Sequence, residues 1–286
     1  MKNQHSNHLI QLALATFFIS TSGALGKYID LPIPVIIWWR CILAGIALFA
    51  FCNYKKFNLK LSSKTDITTV IISALLMGGH WVTYFFALKL SNVALGMLSL
   101  FTFPILTAFL EPLFIKTKFD PFYILLGILV LLGLYILAPE FNLESSQVKG
   151  VLFGLLSAVF YALRNILSKK LTAKYNGSSV MFYQSLVVAL ILSPAIFLLE
   201  SNGLKEQFPY ILFLGLITTA VGHSMLVNSL KHFTVSTASI INSIQPIFGI
   251  ILAFFFLNEI PTLNTFIGGS LILATVIIES VRSRNR

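Results

Sequence analysis

Charged side chains are scarce in this chain. Asp, Glu, Lys and Arg make up 10% of 286 residues, against 57% hydrophobic residues and a mean hydropathy of +0.87. A soluble domain carries about a quarter charged residues, so this composition could not cover a water-facing surface. Acidic groups are the scarcest. The three aspartates, Asp30, Asp66 and Asp120, fall in loops or at the ends of apolar runs, which excludes a membrane-buried aspartyl pair. Cys41 and Cys52 share one apolar run and form neither a disulfide framework nor a metal site. No H-E-x-x-H, G-x-S-x-G or G-x-x-x-x-G-K-[ST] pattern occurs, so zinc-protease, serine-hydrolase and P-loop chemistry have no foothold. The net charge of +10 is spread over short loops rather than gathered in a patch with interleaved aromatics, so nucleic acid is not an expected partner. No cofactor or metal is expected either.

What the chain has instead is a series of apolar runs near 20 residues, the length that spans about 30 Å of hydrocarbon as a helix. The runs are apolar throughout rather than alternating, which selects helices over a barrel. Spans are expected at about 9–27, 33–53, 67–88, 93–115, 121–138, 150–169, 178–199, 209–230, 235–257 and 262–281. The first run lacks a convincing small-residue cleavage site and reads as a retained span. With the N-terminus inside, fourteen Lys and Arg fall on the cytoplasmic side, Lys55, Lys116, Lys118 and Lys174 among them, and four outside, Lys27, Lys89, Lys149 and Lys205. That asymmetry places both termini in the cytoplasm.

The chain also repeats itself at an offset of 142 residues: Lys27 and Lys169, Leu88-Lys89 and Leu230-Lys231, Val93 and Val235, Pro104-Ile105 and Pro246-Ile247. Each half holds five apolar runs, so the second half starts from the opposite side and lies inverted. The expected fold is all-α integral membrane, ten transmembrane helices as two inverted five-helix repeats. The division is 1–139 for the first repeat, 140–148 for the linker and 149–286 for the second repeat.

Two five-span repeats, a proline within the fourth and ninth spans, and Asn258-Glu259-Ile260-Pro261 closing the ninth resemble the EamA family of the drug/metabolite transporter superfamily. Thr219-Ala220-Val221-Gly222-His223-Ser224 through Pro246 is similar to the family's second-repeat pattern. The resemblance covers essentially the whole chain. It implies a permease for small organic metabolites such as amino acids, working in a bacterial plasma membrane as a monomer or weak homodimer. It also implies a central cavity lined by the first, third, fourth, sixth, eighth and ninth spans. An intramembrane enzyme and a passive channel or uniporter are the alternatives. The pattern departs from symmetry at Glu259, whose counterpart is Thr117, whereas the first half's acidic residue, Glu111, comes seven positions after Pro104.

Ionisable groups within spans cost about 2.5–3.5 kcal/mol each on insertion scales, so each asks for a reason. Glu111 reads as a proton or cation relay, or as a structural ion pair, with Arg164 the natural partner, or as a helix-end anchor. Arg164 contacts substrate, pairs with Glu111 or snorkels to headgroups. Arg40, beside Trp38 and Trp39, reads as an interfacial anchor. His80 and His223 are candidate cavity residues or packed, hydrogen-bonded histidines. The offset maps Trp81 onto His223. Trp81 and Tyr84 share a helix face and would wall a site for a flat or apolar substrate. Asn242, Ser243 and Gln245 precede the helix break at Pro246 and offer polar contacts or interhelical glue, whereas Pro104 has no such amide cluster, only Ser99 and Thr102 before it. Tyr161, Asn165 and Asn228 are weaker candidates. Gly150 and Gly154 form a G-x-x-x-G that would let helices approach closely.

Overall fold

The computed structural model describes residues 2–114, 120–137, 142 and 144–284. Lys116, Thr117 and Lys118, Pro139 at the end of the first repeat, the linker residues Glu140, Phe141 and Leu143, and Arg286 lie outside them. The described residues are helical, with no strand. Seven helical stretches are long and apolar enough to cross a membrane: Asn7–Tyr28, Ile33–Tyr54, Lys64–Leu90, Val93–Phe114, Ser146–Thr172, Gly177–Leu198 and Leu204–Ser229. Three shorter apolar helices accompany them, Phe122–Leu137, Gln245–Leu257 and Leu263–Thr275. Large apolar side chains such as Ile46, Leu131, Phe197 and Phe255 point outward, while Thr16, Arg40, His80 and Gln184 are buried. A polar interior inside an apolar shell is the arrangement a hydrocarbon solvent favours.

Helices α1 (Lys2–Tyr28), α2 (Ile33–Tyr54) and α3 (Lys64–Leu90) open the chain. The third starts earlier than its apolar run because the Ser63 hydroxyl caps it, accepting from the Asp66 amide at 3.1 Å. The fourth expected span is two helices, α4 (Val93–Leu100) and α5 (Phe103–Phe114), separated at Phe101-Thr102. Pro104 has no N–H to donate and its ring crowds the carbonyl four residues back, so the helix must restart. Next come α6 (Phe122–Leu137), α7 (Ser146–Thr172), α8 (Gly177–Leu192) and the short α9 (Pro194–Leu198), broken from α8 at Ser193 by another proline. A stretch of three parts follows: α10 (Leu204–Phe213), a π-helix (Leu214–His223) and α11 (Ser224–Ser229). The ninth expected span divides into α12 (Val235–Asn242) and α13 (Gln245–Leu257), with Pro246 in the first turn of the latter. The interruption at Ser243-Ile244 lies 142 residues after that at Phe101-Thr102. Helix α14 (Leu263–Arg284) ends the chain.

The lysine echo has a structural counterpart. Lys27 Nζ donates to the carbonyls of Leu88 (2.8 Å), Lys89 (3.3 Å) and Ser91 (2.7 Å). Lys169 Nζ donates to the carbonyls of Leu230 and Phe233. Leu230 and Phe233 stand 142 residues after Leu88 and Ser91. Each ammonium thus satisfies unpaired carbonyls at a helix C-terminus, where the macrodipole favours a cation.

Close packing explains several glycines. A Cβ on Gly154 would stand 2.5 Å from Ser99 Cβ, and one on Gly150 2.8 Å from Ser91 Cβ, so α7 lies directly on α4. The expected G-x-x-x-G therefore sits at a close crossing.

Candidate functional site

The centre of the molecule is built around a buried cation. Arg40 is 0% exposed, and its guanidinium carbon lies 3.9 Å from the centre of the Trp81 ring. Its Nε donates to Thr219 Oγ1 at 2.5 Å and its Nη1 to Ser22 Oγ at 3.5 Å, while Nη2 has no partner. The expectation of an interfacial anchor is therefore corrected. Residue Arg40 sits on the inward face of α2, where an aromatic face and two hydroxyls replace headgroups and water.

The π-helix brings Thr219 there. Its hydroxyl also donates to the carbonyl of Leu214, five residues back, at 2.8 Å, which matches the wider turn. The same stretch ends on His223, whose ring meets Trp81 edge-on at 5.4 Å and whose Nδ1 has no hydrogen-bond partner. Trp81 and His223, which stand 142 residues apart at the offset of the sequence echo, touch each other.

On the other side, His80 Nδ1 and Ser157 Oγ are 2.7 Å apart, and Ser157 donates back to the His80 carbonyl at 2.9 Å. The His80 ring stacks on Tyr161 at 4.3 Å, and Tyr161 packs edge-on against Phe103 at 4.7 Å. Asn242 Nδ2 donates to the Tyr161 hydroxyl at 3.4 Å, and the Asn242 side-chain oxygen accepts from Thr16 at 3.3 Å and from Gln245. The amides before Pro246 thus join α12 and α13 to α1 and α7 across the helix break. A cavity of about 10 Å³ lies among His80, Trp81, Tyr84, Tyr161, His223 and Gln245. That is roughly the volume that admits one water, so these side chains pack closely at the centre.

Arg164 is also 0% exposed, but it is fully tied. Its Nε and Nη2 donate to Gln184 Oε1 at 3.2 and 2.6 Å, and its Nη1 to Asn165 Oδ1 at 3.0 Å. Gln184 Nε2 donates in turn to Ser73 (2.9 Å) and Ser168 (3.0 Å). The expected Glu111–Arg164 pair does not form, and Arg164 does not snorkel, because Gln184 and Asn165 satisfy it within the bundle. Glu111 is half-buried on α5, where its charge acts on Lys169, the residue that clamps Leu230. Asn228 also stands apart: it is half-buried in an open groove of about 560 Å³ beside Asn176 and Ser178.

The site therefore gathers His80, Trp81, Tyr84, Tyr161, His223, Asn242 and Gln245, reaches Asn165 through its side-chain hydrogen bond with Tyr161, and leaves out Arg164, Asn228 and Glu111. It adds Arg40, Ser22, Ser157 and Thr219. A charge inside an apolar run was the available signal for Arg40, and Thr219 opens the motif of the family resemblance; nothing in the sequence marked Ser22 or Ser157. Both ion pairs seen among the described residues, Lys174–Asp66 and Arg282–Asp120, lie at helix ends, so neither buried arginine has a carboxylate. Outside the spans, the Asp66 carboxylate holds the Lys174 ammonium above its usual pKa through a 3.0 Å hydrogen bond. No group of three or more potential metal ligands occurs among the described residues.

An apolar helical shell around a polar and aromatic centre defines a multi-pass membrane protein. The chain belongs to the EamA-like transporter family, whose profile matches residues 7–138 and 148–281. The pseudopaline exporter of Pseudomonas aeruginosa is 23% identical over 269 residues, 92% of this chain and 92% of that protein. The S-adenosylmethionine uptake transporter of Rickettsia conorii is 23% identical over 281 residues, 93% and 91% of the two chains. An uncharacterized transporter of Archaeoglobus fulgidus is 27% identical over 196 residues, 68% of this chain and 70% of that one. A protein of known crystal structure aligns over 98% of both chains with a TM-score of 0.74 at 16% identity, a likeness of fold alone. Family and relatives are transporters, which points away from an enzyme.

Proposed function

We propose that this chain is a secondary transporter of the bacterial plasma membrane, exporting small organic metabolites such as amino acids by alternating access. The observation that carries the reading is the small, polar and aromatic central cavity at the contact of Trp81 with its own repeat counterpart, His223. In this reading ten spans form two inverted halves, 1–139 and 149–286, with both termini cytoplasmic. If the halves exchange slightly different shapes, an outward-open site becomes an inward-open one without moving. The helix breaks at Phe101-Thr102 and Ser243-Ile244 supply equivalent hinges, because each leaves backbone groups free to re-pair as the helix bends. Among the relatives one is named an exporter and another an uptake transporter.

Purified protein in liposomes preloaded with candidate metabolites tests the reading. Trans-acceleration of labelled uptake is expected. Its absence despite flux would indicate a channel, and chemical conversion of the metabolite an enzyme. Within this scheme Asn242 and Gln245 contact the substrate and hold the broken ninth span. Correctly folded Asn242→Ala and Gln245→Ala variants are expected to raise KM about tenfold, equivalent to about 1.4 kcal/mol of binding. Unchanged KM would remove the amides from the site. Glu111 is proposed to couple protons, since protonation would cancel the charge facing Lys169 and loosen its clamp on Leu230 and Phe233. Glu111→Gln should abolish the dependence of transport on an imposed pH gradient; full dependence in that variant would discard the role.

A further inference from the structure

Arg40 leaves one edge of its guanidinium unused in an interior that contains no acidic partner for it. Its Nε is committed to Thr219, its Nη1 makes a long contact to Ser22, and its Nη2 makes none. Trp81 covers one face of the ion at 3.9 Å. The second unpartnered polar atom at the centre is His223 Nδ1, on the ring that meets the same Trp81. Arg164 cannot take an anion in the same way, because Gln184 and Asn165 already occupy its donors. Its positive charge nevertheless remains without a carboxylate, and it adds to the anion-attracting potential of the centre.

We infer that the transported substrate is an organic monocarboxylate whose carboxylate is bound by the Nη1–Nη2 edge of Arg40, its flat or apolar body lying against Trp81, Tyr84 and Tyr161. This deepens the transport reading and rests on it for the word substrate, but the binding claim stands by itself. A planar fork of parallel N–H groups matches a carboxylate with two hydrogen bonds. Phosphate sites recruit further cations or backbone N–H groups at a helix N-terminus, and here a single guanidinium edge is free. Nor does the centre offer a carboxylate to pair an ammonium group, so the anion rather than an amine is what it reads. A volume of about 10 Å³ is too small for the acid, which on the transport reading enters only after the halves part.

The test is binding to the full chain in nanodiscs, read as tryptophan fluorescence quenching and as a thermal shift. The probes are acetate, phenylacetate and indole-3-acetate with their amides, together with phenethylamine, phenyl phosphate and chloride. At least one aromatic acid is expected to bind tenfold or more tightly than its amide and than phenethylamine. Arg40→Gln should abolish that preference, and Arg40→Lys, which keeps the charge but not the fork, should restore it only in part. The acid–amide comparison on the wild-type chain decides the matter even if Arg40→Gln fails to fold. Equal binding of acids and amides, no binding by any acid, stabilisation by chloride alone, or tighter binding of phenyl phosphate would each overturn the assignment. Acid binding without counterflow would instead count against the transporter reading alone.

Discussion

Gln184 shows how a buried cation is held when no carboxylate is at hand. Its amide oxygen accepts two hydrogen bonds from Arg164 while its nitrogen is anchored by Ser73 and Ser168. Burying an ion costs several kcal/mol even after relaxation, so the partner matters more than the ion. Gln184→Leu is expected to destabilise the fold by about 2 kcal/mol, the scale of a lost hydrogen bond to a charged group. Arg164→Met should cost less, because it removes the charge together with its need. Thermal unfolding of both variants in nanodiscs checks the order; a larger loss for Arg164→Met would mean that packing, not charge, holds this corner. The sequence marked Arg164 as costly but could not name its partner. Gln184 lies on another helix, and its relation to Arg164 depends on how two helices are rotated against each other. Glu111, the partner suggested by depth alone, forms no ion pair with Arg164.

At the scale of elements, the prolines were the most legible features. Pro104 and Pro246 predicted interruptions, and both spans break two to three residues before them. The π-helix at Leu214–His223 was not legible, since its wider turn follows from what Thr219 and His223 must meet rather than from a local breaker. Close helix contacts separate two glycines of unlike consequence. A Cβ at Gly177 would lie 2.4 Å from the backbone nitrogen of Asn228, which cannot yield without moving α11. Gly177→Ala is therefore expected to destabilise by roughly 2–3 kcal/mol, the range of an overpacked contact. A Cβ at Gly249 would meet the Met97 sulfur at 2.0 Å, nominally a harder clash, yet a thioether side chain can turn away. Gly249→Ala should cost about 1 kcal/mol or less. Unfolding midpoints decide between the two, and comparable losses would show that Met97 is locked.

At the scale of the molecule, the paired clamps make a prediction about state. Lys27 ties α1 to the end of α3, and Lys169 ties α7 to the end of α11. In the proposed inverted arrangement the two clamps lie on opposite sides of the membrane, so removing either should open its own side. A single cysteine at Ser22, in a Cys41→Ser, Cys52→Ser background, reports this by labelling with an impermeant maleimide. Lys27→Met is expected to raise labelling from outside severalfold and Lys169→Met from inside, a shift of about 1 kcal/mol in the balance of states. Increased labelling from the same side in both variants would contradict the inverted arrangement.

By itself the sequence determined that this protein lives in a membrane as a bundle of helices, where its fourth and ninth expected spans would break, and that its two halves echo each other. Those properties are sums or patterns over neighbouring residues: hydropathy over about twenty positions, a proline's missing donor, a constant offset. Only the tertiary structure decided which polar groups meet at the centre. Arg40 reaches Thr219 across 179 residues, and Asn242 reaches Tyr161 across 81. Whether a charge inside a span faces lipid, a neutral amide or an open site depends on helix rotation and on partners far along the chain. That is why Arg40 read as an anchor in sequence and stands at the middle of the molecule in space.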